Sequence, residues 1–156
     1  DQRLGRTEPE EWRIVDELYP KLHRFATVAA PFDVDADDLL QEALVRVLRK
    51  HALSDLDNPG AYLQRTMLNV AASHSRRMGR QRKAQRRYAS DAPEAAEPVY
   101  PSDLAELSRL SPRERTVLYL HDVEGFRFSE ISRLLGCTEA SAKMGASRAR
   151  RLLSRP

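Results

Sequence analysis

The residue type whose placement says most in this chain is arginine. Residues 76–87, RRMGRQRKAQRR, hold seven basic side chains and no acid. The last twelve residues hold Arg148, Arg150, Arg151 and Arg155, again with no acid. A guanidinium presents five N–H donors in a flat fork that matches phosphate oxygens. Clusters this dense read either as the footprint of a polyanion binder or as a solvated basic face. Between the two patches, residues 88–103 carry no basic group and four acids, Asp91, Glu94, Glu97 and Asp103. The overall balance of 26 Lys+Arg against 23 Asp+Glu hides this unevenness behind a net charge of +3.

Other chemistries find no matching set of residues. There is no Gly-rich phosphate loop and no Ser/His/Asp arrangement in context, so an enzyme is not expected. His23, His51, His74 and His121 are too scattered for a metal site, and the single cysteine, Cys137, excludes an internal disulfide or a thiolate zinc site. Cys137 reads as a small packing residue rather than a redox sensor. No cofactor and no metal are expected. No stretch approaches the roughly 18 apolar residues of a membrane span, and the start lacks an apolar signal region. A reduced, cytoplasmic setting fits. The absence of an initiator Met reads as a trimmed or processed chain.

These patches must be positioned by helices. The chain has 156 residues, of which 41% are hydrophobic, enough for one ordinary domain or two small ones. The segment 88–103, YASDAPEAAEPVYPSD, has three prolines and no apolar periodicity, and reads as a flexible linker. The expected fold is all-α, with two small helical domains at 1–87 and 104–156. In the first, Thr7 and Glu10 make a capping box. An apolar stripe of Val15, Leu18, Leu22, Phe25, Ala26 and Ala29 follows and stops at Pro31. Asp35 caps a second helix with the stripe Leu39, Leu40, Ala43, Leu44, Val47 and Leu48. After the loop 52–60, Asn58 caps a third helix, Pro59 takes its first position, and Leu63, Met67, Val70 and Ala71 face inward. These stripes explain a bundle, not a function.

The second domain reads as four short helices. One runs from Asp103 to about Arg109. Ser111 and Glu114 form a capping box for a helix that reaches about Val123 and is closed by Gly125. Phe128 to Leu135 is the next, ending at Gly136. Thr138 caps the last, which runs to about Leu153 with Ala142, Ala146, Ala149 and Leu153 inward. A short helix, a Gly-containing turn and a second helix make a helix-turn-helix, whose second helix can enter a DNA major groove. A helical hairpin with no nucleic acid is the alternative. On the outer face of that second helix stand Glu139, Ala140, Lys143, Met144, Ser147 and Arg148. Lys143 and Arg148 could reach guanine edges or phosphates, Glu139 could accept from cytosine, and the amides near Thr138 could hold a phosphate.

Those residues carry a resemblance. SPRERTVLYLHDVEGFRFSEISRLLGCTEASAKMGASRARRLL resembles region 4 of bacterial RNA polymerase sigma factors. DADDLLQEALVRVLRK, followed by NPGAYLQRTMLNVAASHSRR, resembles regions 2.2 to 2.4. Region 2 joined directly to region 4 is the layout of the extracytoplasmic-function (ECF) group. The resemblance covers roughly 11–87 and 104–154. It implies that Asp38, Leu39, Gln41 and Glu42 dock on the polymerase β′ subunit; read from the residues alone, the polar three are equally helix-capping acids and a solvated face. It places the 52–60 loop where a flipped base of the −10 element is captured, with Ser54, Asp55, Asp57 and Asn58 as possible hydrogen-bonding edges. It lays Asn69, Arg76, Arg77 and Arg80 along promoter DNA, although Asn69 could also be a satisfied helix amide. It assigns −35 DNA contact to Arg127, Thr138, Glu139, Ser141, Lys143, Ser147 and Arg148. Three departures stand out. Arg127 occupies a cap position where the family usually has Ser or Thr, and Gly145 stands where an arginine is usual, so one DNA contact is expected to be missing. Tyr62 stands where Trp is common.

The implied function is a promoter-specificity subunit. Its partners would be core RNA polymerase (β′ and β), promoter DNA and an anti-sigma factor, with no membrane insertion. Two weak DNA modules on one tether would gain from effective concentration. The alternatives are a stand-alone helix-turn-helix regulator, which would bind DNA tightly without polymerase, and a helical protein-binding module.

Overall fold

The structure, a computed structural model, describes residues 8–88 and 106–155. Among them there is no β-strand. The elements in order are α1 (Glu8–Ala29), α2 (Ala36–Leu48), a 3₁₀ turn (Leu53–Asp55), α3 (Pro59–Tyr88), α4 (Pro112–Asp122), α5 (Phe128–Leu135) and α6 (Glu139–Leu153). Residues 106–108 are also helical, within the expected 103–109 helix. The Thr7 capping box and the body of the linker lie outside the described residues.

Local signals account for the helix starts. The Asp35 carboxylate accepts from the Asp37 N–H at 2.8 Å, and Asp37 and Asp38 sit at the positive end of α2. Asn58 Oδ1 accepts from the Ala61 N–H at 3.0 Å, with Pro59 opening α3. At α4 both halves of the Ser111–Glu114 capping box form. Thr138 Oγ1 accepts from the Ser141 N–H at the start of α6. At Arg127 the cap is one-sided. Its side chain has no acceptor, and Glu130 compensates by accepting the Arg127 N–H at 2.8 Å. Gly125 (φ +74) and Gly136 (φ +65) occupy left-handed conformations that L side chains avoid.

The three-helix bundle closes on Leu22, Phe25, Leu39, Leu40, Leu63 and Met67, all buried. Leu48, expected on the α2 stripe, is 45% exposed, because α2 ends there and the chain turns away. In the second stretch Val117, Leu120, Ile131, Ala142, Ala146 and Ala149 are buried, and α6 packs on α4 and α5 through the small alanines. The two stretches also meet. α4 lies against α1 and α3, and α5 lies against α3. Val117, Leu120, Ile131, Ala142 and Ala146 belong to the same cluster of buried side chains as Phe25 and Leu63. At the seam Lys21, Phe25 and Gln64 face Tyr119, Leu120 and Phe126 across a small cleft.

Candidate nucleic-acid interface

α3 is 30 residues long, and its C-terminal half is almost wholly exposed. At about 100° per residue, positions 69, 76, 80, 83 and 87 fall on one side of the helix. Asn69, Arg76, Arg80, Lys83 and Arg87 therefore form one polar, basic edge, flanked by Arg77, and all six are exposed. Asn69 is thus a surface amide, not an interior one. The expected interface residues Arg76, Arg77 and Arg80 are brought together with it, and Lys83 and Arg87 extend the row. The helical period identifies those two once the helix is known to run to Tyr88.

The loop before α3 is anchored from α1. Glu11 Oε2 accepts the Leu53 N–H at 2.6 Å and Oε1 accepts the Ser54 N–H at 3.1 Å. Burial works to raise the Glu11 carboxyl, but the two backbone donors outweigh it together, and the group lies below the usual carboxylate range. Sequence reading missed Glu11, since a carboxylate 42 residues upstream that binds backbone leaves no pairwise signal. Ser54, Asp55, Asp57 and Asn58 are exposed on this loop, while Leu53 is fully buried beneath it. The Asn58 side-chain oxygen is already committed to the α3 cap.

On α2, Asp38, Gln41 and Glu42 face solvent, and Glu42 pairs with Arg46 at 2.8 Å. Leu39 does not join them. It is 1% exposed in the bundle core, because its place on the apolar stripe points it inward, so it holds the helix rather than meeting a partner. Neighbouring Asp37 accepts the Tyr19 hydroxyl at 2.9 Å, and that bond raises the Tyr19 pKa.

The second basic surface is α6. Glu139, Ser141, Lys143, Met144, Ser147 and Arg148 are all exposed, as are Thr138 and Arg127 at the helix starts. Every residue of the expected set is thus solvent-accessible. Lys143 lies 3.5 Å from Glu139 and Arg148 lies 3.8 Å from Glu114. The Lys143 pair is exposed, contributes little and is readily exchanged for phosphate, and Arg148 itself is exposed although Glu114 is largely covered. Gly145 lies at the edge of this face. It is half-buried, and a Cβ there would stand 3.9 Å from Val117 Cγ2 on α4. Cys137 is half-buried against the core in the α5–α6 turn. Among the described residues no group of three or more His, Cys, Asp or Glu could hold a metal, and no helix is long and apolar enough to cross a membrane.

Comparison with known proteins matches both stretches. The family model for sigma-70 region 2 matches residues 14–81, and that for sigma-70 region 4 matches residues 104–153. The chain is 27% identical over 133 residues to the "Probable ECF RNA polymerase sigma factor SigI" of Mycobacterium tuberculosis, covering 76% of this chain and 46% of that protein. It is 28% identical over 149 residues to the ECF RNA polymerase sigma factor SigM of the same organism, covering 86% of this chain and 70% of SigM. The chain thus spans about half the length of SigI. In fold it resembles the sigma factor RpoE crystallised with the anti-sigma factor NepR from Bartonella quintana, with a TM-score of 0.65, 24% identity, and coverage of 90% of this chain and 92% of that one.

Proposed function

Because this chain belongs to the sigma-70 family, with region 2 in its first half and region 4 in its second, we propose that it is an ECF-type sigma factor that directs core RNA polymerase to specific promoters. The observation that carries the reading is the order of the two regions on one chain, each presenting an exposed surface suited to its task. The 1–87 unit docks on polymerase through Asp38, Gln41 and Glu42 and opens the −10 region. Its loop, with Asp55 and Asn58, meets an unstacked base, and the α3 edge from Asn69 through Arg76, Arg77 and Arg80 tracks the phosphates. The 104–156 unit places α6 in the major groove at the −35 element, with Lys143 and Arg148 as the reading or phosphate-holding cations and Arg127, Thr138, Glu139, Ser141 and Ser147 around them. The 88–103 segment tethers the two.

The protein acts inside the cell beside polymerase and is a regulatory subunit, not an enzyme. An anti-sigma protein is its natural antagonist, as for the structurally similar RpoE, which was crystallised with NepR. The deciding experiment is run-off transcription with core polymerase on a promoter library. Promoter-dependent transcripts are expected, and their loss on Lys143→Glu with Arg148→Glu. A protein that shifts DNA tightly without polymerase, yet yields no transcript with it, would instead be a stand-alone regulator.

A further inference from the structure

Away from the DNA-facing surfaces the structure buries a charge. Arg115 on α4 is 7% exposed, and among the described residues its hydrogen-bond partners are all backbone carbonyls. Its Nε donates to Val28 O at 3.0 Å, its Nη2 to Ala30 O at 2.7 Å and its Nη1 to Leu110 O at 3.0 Å. The Phe32 ring lies 4.8 Å from the guanidinium carbon. Val28 and Ala30 are at the C-terminal end of α1, where the last carbonyls lack intrahelical partners and the helix dipole is negative. The second half of the chain therefore supplies the C-cap for the first helix of the first half, while the same guanidinium is tied to its own side through Leu110. Burial pulls its pKa down to about 10, which leaves it charged at neutral pH.

This closure conflicts with simultaneous reading of both promoter elements. Elements centred at −10 and −35 lie about 25 base pairs apart, or about 85 Å at 3.4 Å per pair. α3, at 30 residues, spans about 45 Å, and a compact chain of this length has a radius of gyration of about 15 Å. The two halves must part before both can touch one duplex, and parting them means extracting Arg115 from α1. Partners that are neutral dipoles, not a carboxylate, leave the cation free to exchange them for water. An open groove lined by Phe32, Val34, Leu118 and Val123 brings solvent to its edge.

We propose that Arg115 is a latch that holds the two halves in a closed resting form, and that its release from the Val28 and Ala30 carbonyls is the step that frees them to act on DNA. The consequence for DNA rests on the function proposed above, whereas the latch is measurable without it. The test uses the full chain with Cys137→Ser and spin labels at Glu17→Cys and Arg151→Cys, both exposed positions. The parent should give one short, narrow distance. Arg115→Gln should raise a longer, broader population on the order of tenfold, with Phe32→Leu and Arg115→Lys in between. An unchanged distribution in Arg115→Gln overturns the latch. If circular dichroism shows that variant unfolded, the Phe32→Leu and Arg115→Lys distributions decide in the same way. Core polymerase then reads the consequence: its apparent affinity should rise by the same factor as the open population. Opening without a gain in affinity overturns the release step. Failure of the parent to bind polymerase at all overturns the proposed function and leaves the distance result standing.

Discussion

Gly136 ends α5 at φ +65, and a Cβ there would meet the guanidinium of Arg65, which reaches across from α3. Gly125 has the same handedness, φ +74, but a Cβ there would have nothing within 4 Å. The left-handed conformation alone costs a non-glycine residue about 1–2 kcal/mol. Gly125→Ala and Gly136→Ala should each lose about that amount, because the exposed Arg65 guanidinium is the far end of a flexible side chain and can swing aside. Urea midpoints of the two variants check this; a larger loss for Gly136→Ala would mean that Arg65 is held in place. Gly145 is the opposite case. It is a helix-interior glycine with room for a methyl group in ordinary contact with Val117. Gly145→Ala should stabilise by about 1 kcal/mol, measured by thermal melting, and leave DNA affinity unchanged because a methyl group there only touches Val117. A drop in affinity would show that flexibility of α6 matters.

At the scale of the element, the 53–58 loop and the α3 edge make distinct predictions. Glu11 holds the loop by two backbone hydrogen bonds, and its carboxyl pKa is depressed in the folded chain. The unfolded chain therefore binds more protons in acid, so the stability from Glu11 is present above the unfolded value of about 4.3 and lost as pH falls through the folded value. Glu11→Gln should cost about 1–2 kcal/mol at pH 7, and the gap from the parent should narrow in chemical denaturation as pH falls through the depressed folded value. On α3, replacing Arg76, Arg80, Lys83 and Arg87 by Gln should flatten the salt dependence of promoter binding by about 0.9 in log–log slope for each phosphate contact removed. An unchanged slope would place the DNA elsewhere. The helices themselves are legible in the sequence because their signals are local: Asp35, Asn58, Ser111 and Thr138 cap at the positions their spacing indicates. The exposed basic rows are legible for the same reason. Glu11, Arg65 and Arg115 are not, because each acts on backbone or on a glycine distant in sequence, and backbone carries no residue-type complementarity to read. Leu39 shows the converse limit, since a motif placed it at a partner surface while its own apolar period points it into the core.

At the scale of the molecule, the question is whether the two halves unfold as one. Packing of α4 on α1 and α3 and the shared buried cluster tie them together, and Arg115 adds a polar link to the α1 carbonyls. The sole tryptophan, Trp12, lies on α1 and is 63% exposed, so its fluorescence follows the first half. Far-UV circular dichroism follows the helices of both. If the seam couples them, the two signals should fall together in urea for the parent chain, the mark of a two-state transition. Removing Arg115 strands the Val28 and Ala30 carbonyls and deletes a charge-assisted link worth on the order of 2–3 kcal/mol, so Arg115→Gln should split the transition. The circular dichroism should then begin to fall before Trp12 responds, because α4–α6 form the smaller unit and a smaller core is the less stable alone. Coincident curves in the variant would show that apolar contacts such as Phe25 with Leu120 suffice to couple the halves. Separated curves already present in the parent would show that the seam is too weak to join them.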